Sequence, residues 1–297
     1  MTGIYKTPEG QRLVEEEYRR ILTHWPVENR QFHVSTRYGE TFVIACGEES
    51  APPVLLLHGS LANSASWMGD VAMWARRFRI FAIDVIGEPG LSAGSRPALD
   101  SDAYAAWLDD VMSALGLSHA SFVGLSLGGW LTLDYATRRP ERVHRMALIC
   151  PGGVGRLKIG ILFKIAIFHL FGSWGRRKLR EAILGPMTGG DVSPAVRKFG
   201  EFIALIHKST EPRKERLPVF SDAALRGLTM PVLAIVGAKD ALLDSGDTQR
   251  RIERLLDHGE VRYLADAGHF IVGQAPGIAE FLERDSFETS LSVRRSG

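Results

Sequence analysis

Short runs of β-branched and aliphatic residues alternate with longer amphipathic stretches along most of the chain. The runs, which we predict to be strands, lie at residues 42–45, 54–57, 79–83, 120–124, 143–149, 232–236 and 260–264. The amphipathic stretches, which we predict to be helices, lie at residues 64–76, 102–115, 127–138, 245–256 and 273–286. Such alternation predicts an α/β fold with a mostly parallel sheet covered by helices on both faces.

Two parts of the chain depart from this alternation near its start. Residues 1–29 form a predicted N-terminal helical extension, in which a charged helix follows Thr7-Pro8 and no apolar signal-peptide segment is present. The polar and apolar positions of residues 31–45 predict an antiparallel hairpin that turns at Gly39-Glu40.

The alternation stops once more, between Pro151 and Gly227. This stretch has helical patterns and no convincing strand, and strand patterns resume at Val232. An insertion at one point of an α/β sheet predicts a helical cap over the carboxyl ends of the strands, where such sheets bind ligands. We therefore expect a core of residues 30–150 and 228–297 and a cap of residues 151–227.

Composition excludes several classes of protein. The 297 residues are 45% hydrophobic and 24% charged, with a net charge of +2, which is typical of a globular protein and does not favour a nucleic-acid partner. Cys46 and Cys150 are too few for a disulfide framework or a cysteine zinc site, and reduced buried thiols suit a cytoplasmic location. The longest apolar run, residues 159–171, is too short to span a bilayer.

Two segments match the pattern G-x-S-x-G, in which a serine is presented on a sharp turn. In the first, Gly90-Leu91-Ser92-Ala93-Gly94, no helix pattern follows, so we predict a loop. In the second, Ser126 follows a predicted strand and precedes a predicted apolar helix. Because the strand–turn–helix context is what exposes the hydroxyl, Ser126 is the candidate nucleophile.

A serine nucleophile needs a base and an acid that orients the base. His269 follows the last predicted strand and precedes the last predicted helix, so it is the candidate base. Asp240 follows the preceding strand and is the candidate acid, with Asp244 as the alternative, since Asp244 also suits a helix N-cap. The order Ser126, Asp240, His269 is that of α/β-hydrolases.

An oxyanion formed at Ser126 needs backbone N–H donors. We expect one from Leu127, directly after the nucleophile, and one from Ser60 in the loop after the strand at residues 54–57, with Leu61 as the alternative. His58, in the same loop, is interpreted as a structural residue that braces it.

The segments Leu57-His58-Gly59-Ser60, Gly124-Leu125-Ser126-Leu127-Gly128-Gly129-Trp130, Gly237-Ala238-Lys239-Asp240 and Ala267-Gly268-His269 occur in that order. Together they resemble the α/β-hydrolase family, and most closely its carboxylesterase and lipase-like members, over residues 30–288. The resemblance implies an eight-stranded sheet, no cofactor and no metal, with Ser126, Asp240 and His269 as nucleophile, acid and base. A serine at position 126 also disfavours dehalogenase and epoxide hydrolase activity, for which this fold uses an aspartate.

One segment differs from the family pattern. After the strand at residues 79–83, many members have a G-x-G-x-S turn, whereas this chain has the longer Asp84-Val85-Ile86-Gly87-Glu88-Pro89-Gly90-Leu91-Ser92. We expect Glu88 to be a solvated loop residue.

The charge of the chain is distributed unevenly. Residues 151–227 contain 14 basic and six acidic residues, a net of +8, and the remaining 22 basic and 28 acidic residues give −6. The cap's arginines are either a solvated face, a rim that attracts anionic substrates, or part of a membrane-surface or homodimer contact through the apolar run.

The sequence therefore predicts a cytoplasmic serine hydrolase that forms an acyl-enzyme with a small-molecule ester or thioester whose acyl part is apolar. A thioesterase, a lactonase or an acyl-transfer or cyclisation enzyme would use the same three residues. A binding protein with an idle triad is the alternative from a different class.

Overall fold

The structure, a computed structural model, describes residues 3–158, 175 and 194–284. The apolar run at residues 159–171, and with it the predicted homodimer or membrane contact, lies outside the described residues. Within the predicted cap, residues 159–193 other than residue 175 also lie outside the described residues, and so do the C-terminal residues 285–297. Among the described residues, no helix combines the length and the hydropathy that crossing a bilayer requires.

Eight strands form one sheet. They are β1 (Asn29–Thr36), β2 (Gly39–Cys46), β3 (Pro53–Leu57), β4 (Arg79–Ile83), β5 (Ala120–Leu125), β6 (Val143–Ile149), β7 (Val232–Gly237) and β8 (Gly259–Leu264). Their order in the sheet is β1-β2-β4-β3-β5-β6-β7-β8, in which β1 and β2 are antiparallel to their neighbours and the other strands are parallel. The predicted fold class is confirmed.

The described helices flank this sheet or form part of the predicted cap. They are α1 (Pro8–Leu22), α2 (Val71–Trp74), α3 (Ala103–Ala114), α4 (Leu127–Arg138), α5 (Pro194–Ser209), α6 (Asp222–Arg226), α7 (Ser245–Leu255) and α8 (Ala275–Glu283). In β3, Leu55 and Leu57 belong to the hydrophobic cluster with α3, α4 and α7, whereas Val54 and Leu56 belong to the cluster with α1, α2 and α8. This alternation of period two explains why so short an apolar run is buried on both faces.

Most predicted elements agree with the observed ones to within a few residues, and two features differ more clearly. The hairpin of β1 and β2 turns at Arg37-Tyr38, because Thr36 pairs with Gly39, so the turn predicted at Gly39-Glu40 was placed two residues too late. The helix predicted at residues 64–76 is instead a 3-10 turn, Ser64–Trp67, followed by α2. A single amphipathic period across both pieces concealed the break between them.

The N-terminal helix α1 is joined to the rest of the protein by Tyr18. The helix begins at Pro8, one residue earlier than predicted, and its N-cap is Thr7, whose side chain accepts the Gly10 N–H. The Tyr18 ring is fully buried and stacks on Phe202 of α5, with ring centroids 6.0 Å apart. Its hydroxyl donates to Asp84 Oδ1 at 2.8 Å, so α1 connects the loop after β4 to a helix of the predicted cap.

We expect Tyr18→Phe to lower the free energy of unfolding by about 1–2 kcal/mol. The substitution removes a buried hydrogen bond to a carboxylate, although Asp84 Oδ1 keeps the N–H and hydroxyl of Ser64. Urea denaturation measures the change.

The chain offers a matched control in Tyr5→Phe. The buried Tyr5 hydroxyl has no hydrogen-bond partner among the described residues, so its removal should leave the free energy of unfolding within about 0.5 kcal/mol. Equal losses in the two variants would contradict the role given to the Tyr18–Asp84 hydrogen bond.

Candidate active site

Ser126 lies on a sharp turn between β5 and α4. Its backbone has φ 52° and ψ −105°, a conformation that L-residues rarely adopt. The Ser126 N–H donates to the Ile149 carbonyl of β6 at 2.9 Å. The surrounding strands therefore hold the strained turn that presents the hydroxyl.

Two glycines allow this turn to form. A Cβ on Gly128 would lie 1.9 Å from the Leu57 carbonyl oxygen of β3, and a Cβ on Gly124 would lie 2.5 Å from the Gly128 carbonyl oxygen. Both distances are far below van der Waals contact. Helix α4 therefore approaches the sheet at a distance that only glycine permits at these positions.

The structure brings the three candidate catalytic residues together. His269 Nε2 lies 3.1 Å from Ser126 Oγ, and His269 Nδ1 lies 2.7 Å from Asp240 Oδ2. The loops after β7 and β8 supply Asp240 and His269, since the parallel strands β5, β7 and β8 all end at the same edge of the sheet. Asp244, the alternative acid, accepts the Asp247 N–H and caps α7 instead.

The partners of Asp240 fix the proton on the imidazole. Its Oδ1 accepts the N–H groups of Leu242 at 2.7 Å and Leu243 at 3.0 Å. Burial acts to raise the pKa of the Asp240 carboxyl, but the hydrogen bond and charge of His269 and the two N–H groups outweigh it, so the pKa lies below its ordinary value. An ionised Asp240 accepts from Nδ1–H, which leaves Nε2 to accept the Ser126 hydroxyl proton.

Cys150 lies beside this pair. The side chains of Cys150, Asp240 and His269 offer ligand atoms within 4.8 Å of one another, which is the geometry of a possible metal site within the described part of the chain. Burial, followed by the nearby Asp240 charge, raises the pKa of the Cys150 thiol well above its ordinary value. The thiol therefore stays protonated, and the hydrogen bond between Asp240 and His269 accounts for the arrangement of those two side chains.

The loop after β3 lines the same cavity as Ser126. The N–H groups of Ser60 and Leu127, the two candidate oxyanion donors, donate to no atom of the described residues. The Leu61 N–H, the alternative donor, is already bonded to Glu88 Oε2 at 2.7 Å. Between the two loop candidates, Ser60 is the one whose N–H is available.

His58 braces this loop, as the sequence suggested. Its Nε2 accepts the Val85 N–H at 2.9 Å, so its proton lies on Nδ1, which donates to the Gly59 carbonyl at 2.8 Å. Burial lowers the pKa of His58 and favours this neutral form.

Glu88 is not the solvated residue that we expected. It is 1% exposed, and its carboxylate contacts the loop at residues 58–61, called the oxyanion loop below because it carries a candidate oxyanion donor, through Leu61 N–H and through Ser60 Oγ at 3.3 Å. The prediction was wrong because a charged residue between Gly87 and Pro89 is typical of an exposed turn. No neighbouring residue in the sequence indicates that Glu88 accepts hydrogen bonds from buried donors elsewhere in the fold. The other G-x-S-x-G match is a loop as predicted, in which Ser92 Oγ bonds backbone atoms of Phe42 and Asp84.

A cavity of about 230 Å³ opens beside Ser126. Most of its described lining is apolar, from the loops at the sheet edge and from helix α5: Leu61, Ala62, Leu125, Phe199, Ile203, Leu242 and Phe270. His207, which the sequence analysis assigned only to the cap, also lines it. The spacing of Phe199, Ile203 and His207, four residues apart on one helix face, was the signal available in the sequence.

The chain is similar to known esterases over most of its length. It matches the model of the α/β-hydrolase fold over residues 52–182. Carboxylesterase YbfK of Bacillus subtilis (strain 168) is 32% identical over 88% of this chain and 88% of that protein. The crystal structure of that carboxylesterase covers 92% of this chain and 96% of its own with a TM-score of 0.78 at 30% identity. The structure of naproxen esterase from Bacillus subtilis covers 98% and 100% with a TM-score of 0.76 at 27% identity.

We expect Gly128→Ala to disrupt the site and the fold together. The added methyl group would meet the backbone of β3, and such overpacking costs about 1–3 kcal/mol or more because no flexible side chain can move aside. The unfolding temperature should fall, and the rate at which a fluorophosphonate labels Ser126 should decrease.

Gly69→Ala is the matched control, because a Cβ on Gly69 has no heavy atom within 4 Å. It should change neither measurement. A Gly128→Ala protein with the unfolding temperature and labelling rate of the unaltered protein would show that α4 does not need this close approach.

Proposed function

The chain belongs to the α/β-hydrolase family, and from that premise and the geometry of its site we propose that it is a serine hydrolase of carboxylic esters. The observation that supports this most directly is the continuous hydrogen-bonded chain from Ser126 Oγ through His269 to Asp240. The relatives named carboxylesterases support the same reaction.

The proposed reaction proceeds through an acyl-enzyme. His269 Nε2 takes the Ser126 proton as Oγ attacks the ester carbonyl, and Asp240 stabilises the imidazolium that forms. The N–H groups of Ser60 and Leu127 bind the developing oxyanion. His269 then protonates the leaving alcohol, after which it activates a water molecule that releases the acid and restores Ser126.

The described cavity lining supports an uncharged, apolar acyl group. It contains no Asp, Glu, Lys or Arg, so a charged acyl chain would lose its hydration there without gaining an opposite charge. Polar contacts within the lining are limited to serine and histidine side chains. We therefore propose neutral esters as the substrate class. A cytoplasmic location, a homodimer through the cap and the absence of a nucleic-acid partner stay predictions.

Substitution of the nucleophile tests the reaction. We expect the protein to hydrolyse p-nitrophenyl butyrate and to be labelled by a fluorophosphonate, and we expect Ser126→Ala to abolish labelling and lower kcat by about 10³–10⁶-fold. Ser92→Ala, in the other G-x-S-x-G match, is the control that should keep labelling. An unlabelled, inactive but folded native protein would favour a binding protein over an enzyme.

Charge on the acyl group tests the substrate class. A p-nitrophenyl ester ending in a free carboxylate should have a kcat/KM at least about tenfold below that of its methyl-capped counterpart, because the carboxylate enters a pocket without a cation. The comparison is made at low and high salt. A faster anionic ester whose advantage fades with salt would instead favour steering by the basic cap.

A further inference from the structure

Glu88 and Arg213 form a buried ion pair behind the oxyanion loop. The Glu88 side chain is fully buried and that of Arg213 is 6% exposed, and Arg213 Nε lies 3.9 Å from Glu88 Oε1. Neither of these two atoms has a hydrogen-bond partner among the described residues. Burial of two charges has a desolvation cost, and here one of the two residues, Glu88, contacts the loop of the candidate site.

The other carboxylate oxygen of Glu88 fixes the backbone of the loop. Glu88 Oε2 accepts the Leu61 N–H at 2.7 Å and lies 3.3 Å from Ser60 Oγ. Leu61 has a φ of 54°, in the left-handed region that costs a leucine about 1–2 kcal/mol. A hydrogen bond to a charged acceptor is of comparable or greater strength, so Glu88 stabilises a conformation that Leu61 would otherwise leave.

This conformation determines which N–H is available to the reaction. With Leu61 N–H directed at Glu88, Ser60 N–H is the loop donor that stays unoccupied among the described residues, and Ser60 lines the cavity with Ser126. The Leu61 N–H belongs to the peptide that follows Ser60, so its hydrogen bond to Glu88 holds Ser60 on its C-terminal side. Loss of that bond would free the Ser60 backbone, and with it the Ser60 N–H, to reorient. An oxyanion donor must be oriented before the reaction to be effective.

Arg213 connects this loop to the wall of the cavity. It follows helix α5, whose Phe199, Ile203 and His207 line the cavity. Its guanidinium also bonds Glu215 Oε2 at 2.9 Å and the Tyr104 hydroxyl, and it lies over the Tyr104 ring. The residue that neutralises Glu88 is thus fixed by α3 and by the segment that leaves α5.

We propose that Glu88 is a positioning residue for the oxyanion hole, which holds the Leu61 N–H so that the Ser60 N–H faces the tetrahedral oxygen, with Arg213 as its buried counter-ion. The inference rests on the proposed function, since it concerns a donor that only an acyl-transfer reaction uses. Glu88 acts through Ser60 and does not touch the substrate.

Glu88→Ala and Glu88→Gln test this role. Glu88→Ala should lower kcat about 10- to 100-fold, less than the complete loss of an oxyanion donor, while KM changes less than about threefold. Glu88→Gln keeps an acceptor oxygen for Leu61 N–H and should stay within about fivefold of the native kcat. All rates are expressed per active site, counted by complete labelling with a fluorophosphonate.

Binding of an alkyl trifluoromethyl ketone separates positioning from folding. Its adduct with Ser126 has an oxyanion, so its inhibition constant should rise in Glu88→Ala by the same factor as kcat falls. A loss of folded protein would lower the number of labelled sites and leave the inhibition constant of the remaining sites unchanged. Native kcat and inhibition constant in Glu88→Ala, or an equal loss in Glu88→Gln, would overturn the proposal.

Asp134→Ala is the matched control. Asp134 is also a buried carboxylate paired with an arginine, Arg138 at 2.9 Å, but it lies two turns along α4 and forms no hydrogen bond or ion pair with the loop among the described residues. Its loss should lower the unfolding temperature without changing kcat or the inhibition constant per site. A native protein that the fluorophosphonate does not label would refute the proposed function itself, whereas normal labelling with an unaffected Glu88→Ala would refute only this inference.

Discussion

The close contact between helix α4 and the centre of the sheet is the constraint on which the rest of the site depends. Because Gly124 and Gly128 have no Cβ, the backbone of α4 lies against the Leu57 carbonyl oxygen of β3 and against Gly124 of β5, and the turn between β5 and α4 places Ser126 at a positive φ. Strain at one residue is sustained because the neighbouring strands β3 and β6 are largely buried and hydrogen-bonded to β5. The hydroxyl thereby lies at the carboxyl edge of the sheet, where strands β3, β7 and β8 also end and the loops that follow them begin.

The loops after β3, β4 and β7 are held by buried carboxylates that accept backbone N–H groups. Asp84 accepts from Ser64 and Leu91, Glu88 accepts from Leu61, and Asp240 accepts from Leu242 and Leu243. A carboxylate oxygen can take several donors at once, so one side chain sets the direction of a whole loop where regular secondary structure has ended.

The strands were predictable because the apolar pattern that indicates each of them lies within a few consecutive residues. Apolar runs gave seven of the strands, and the loops that follow them gave Ser126, His269 and Asp240, since residues that follow parallel strands meet at one edge. The turn at Arg37-Tyr38 was placed two residues too late because Gly39, which here begins β2, is itself a typical turn residue. The break before α2 was missed because the hydrophobic pattern continues through it. The burial of Glu88 was missed for a different reason: its donor lies 27 residues away and its counter-ion in another part of the fold, and no local pattern expresses such a pairing.

Helix α5, which belongs to the predicted cap, is joined to the rest of the fold by several contacts. Its C-terminal end is tied to the N-terminal segment, where Lys6 N–H donates to Ser209 and Glu211 N–H donates to Ile4, and Tyr18 stacks on Phe202 in its middle. Arg213 then joins the following segment to Glu88. These contacts join α5, at its middle and at its end, to α1 and to the N-terminal segment. The apolar side chains of Phe199 and Ile203, which line the cavity, therefore lie on a helix that buried contacts connect to the loop around Ser60.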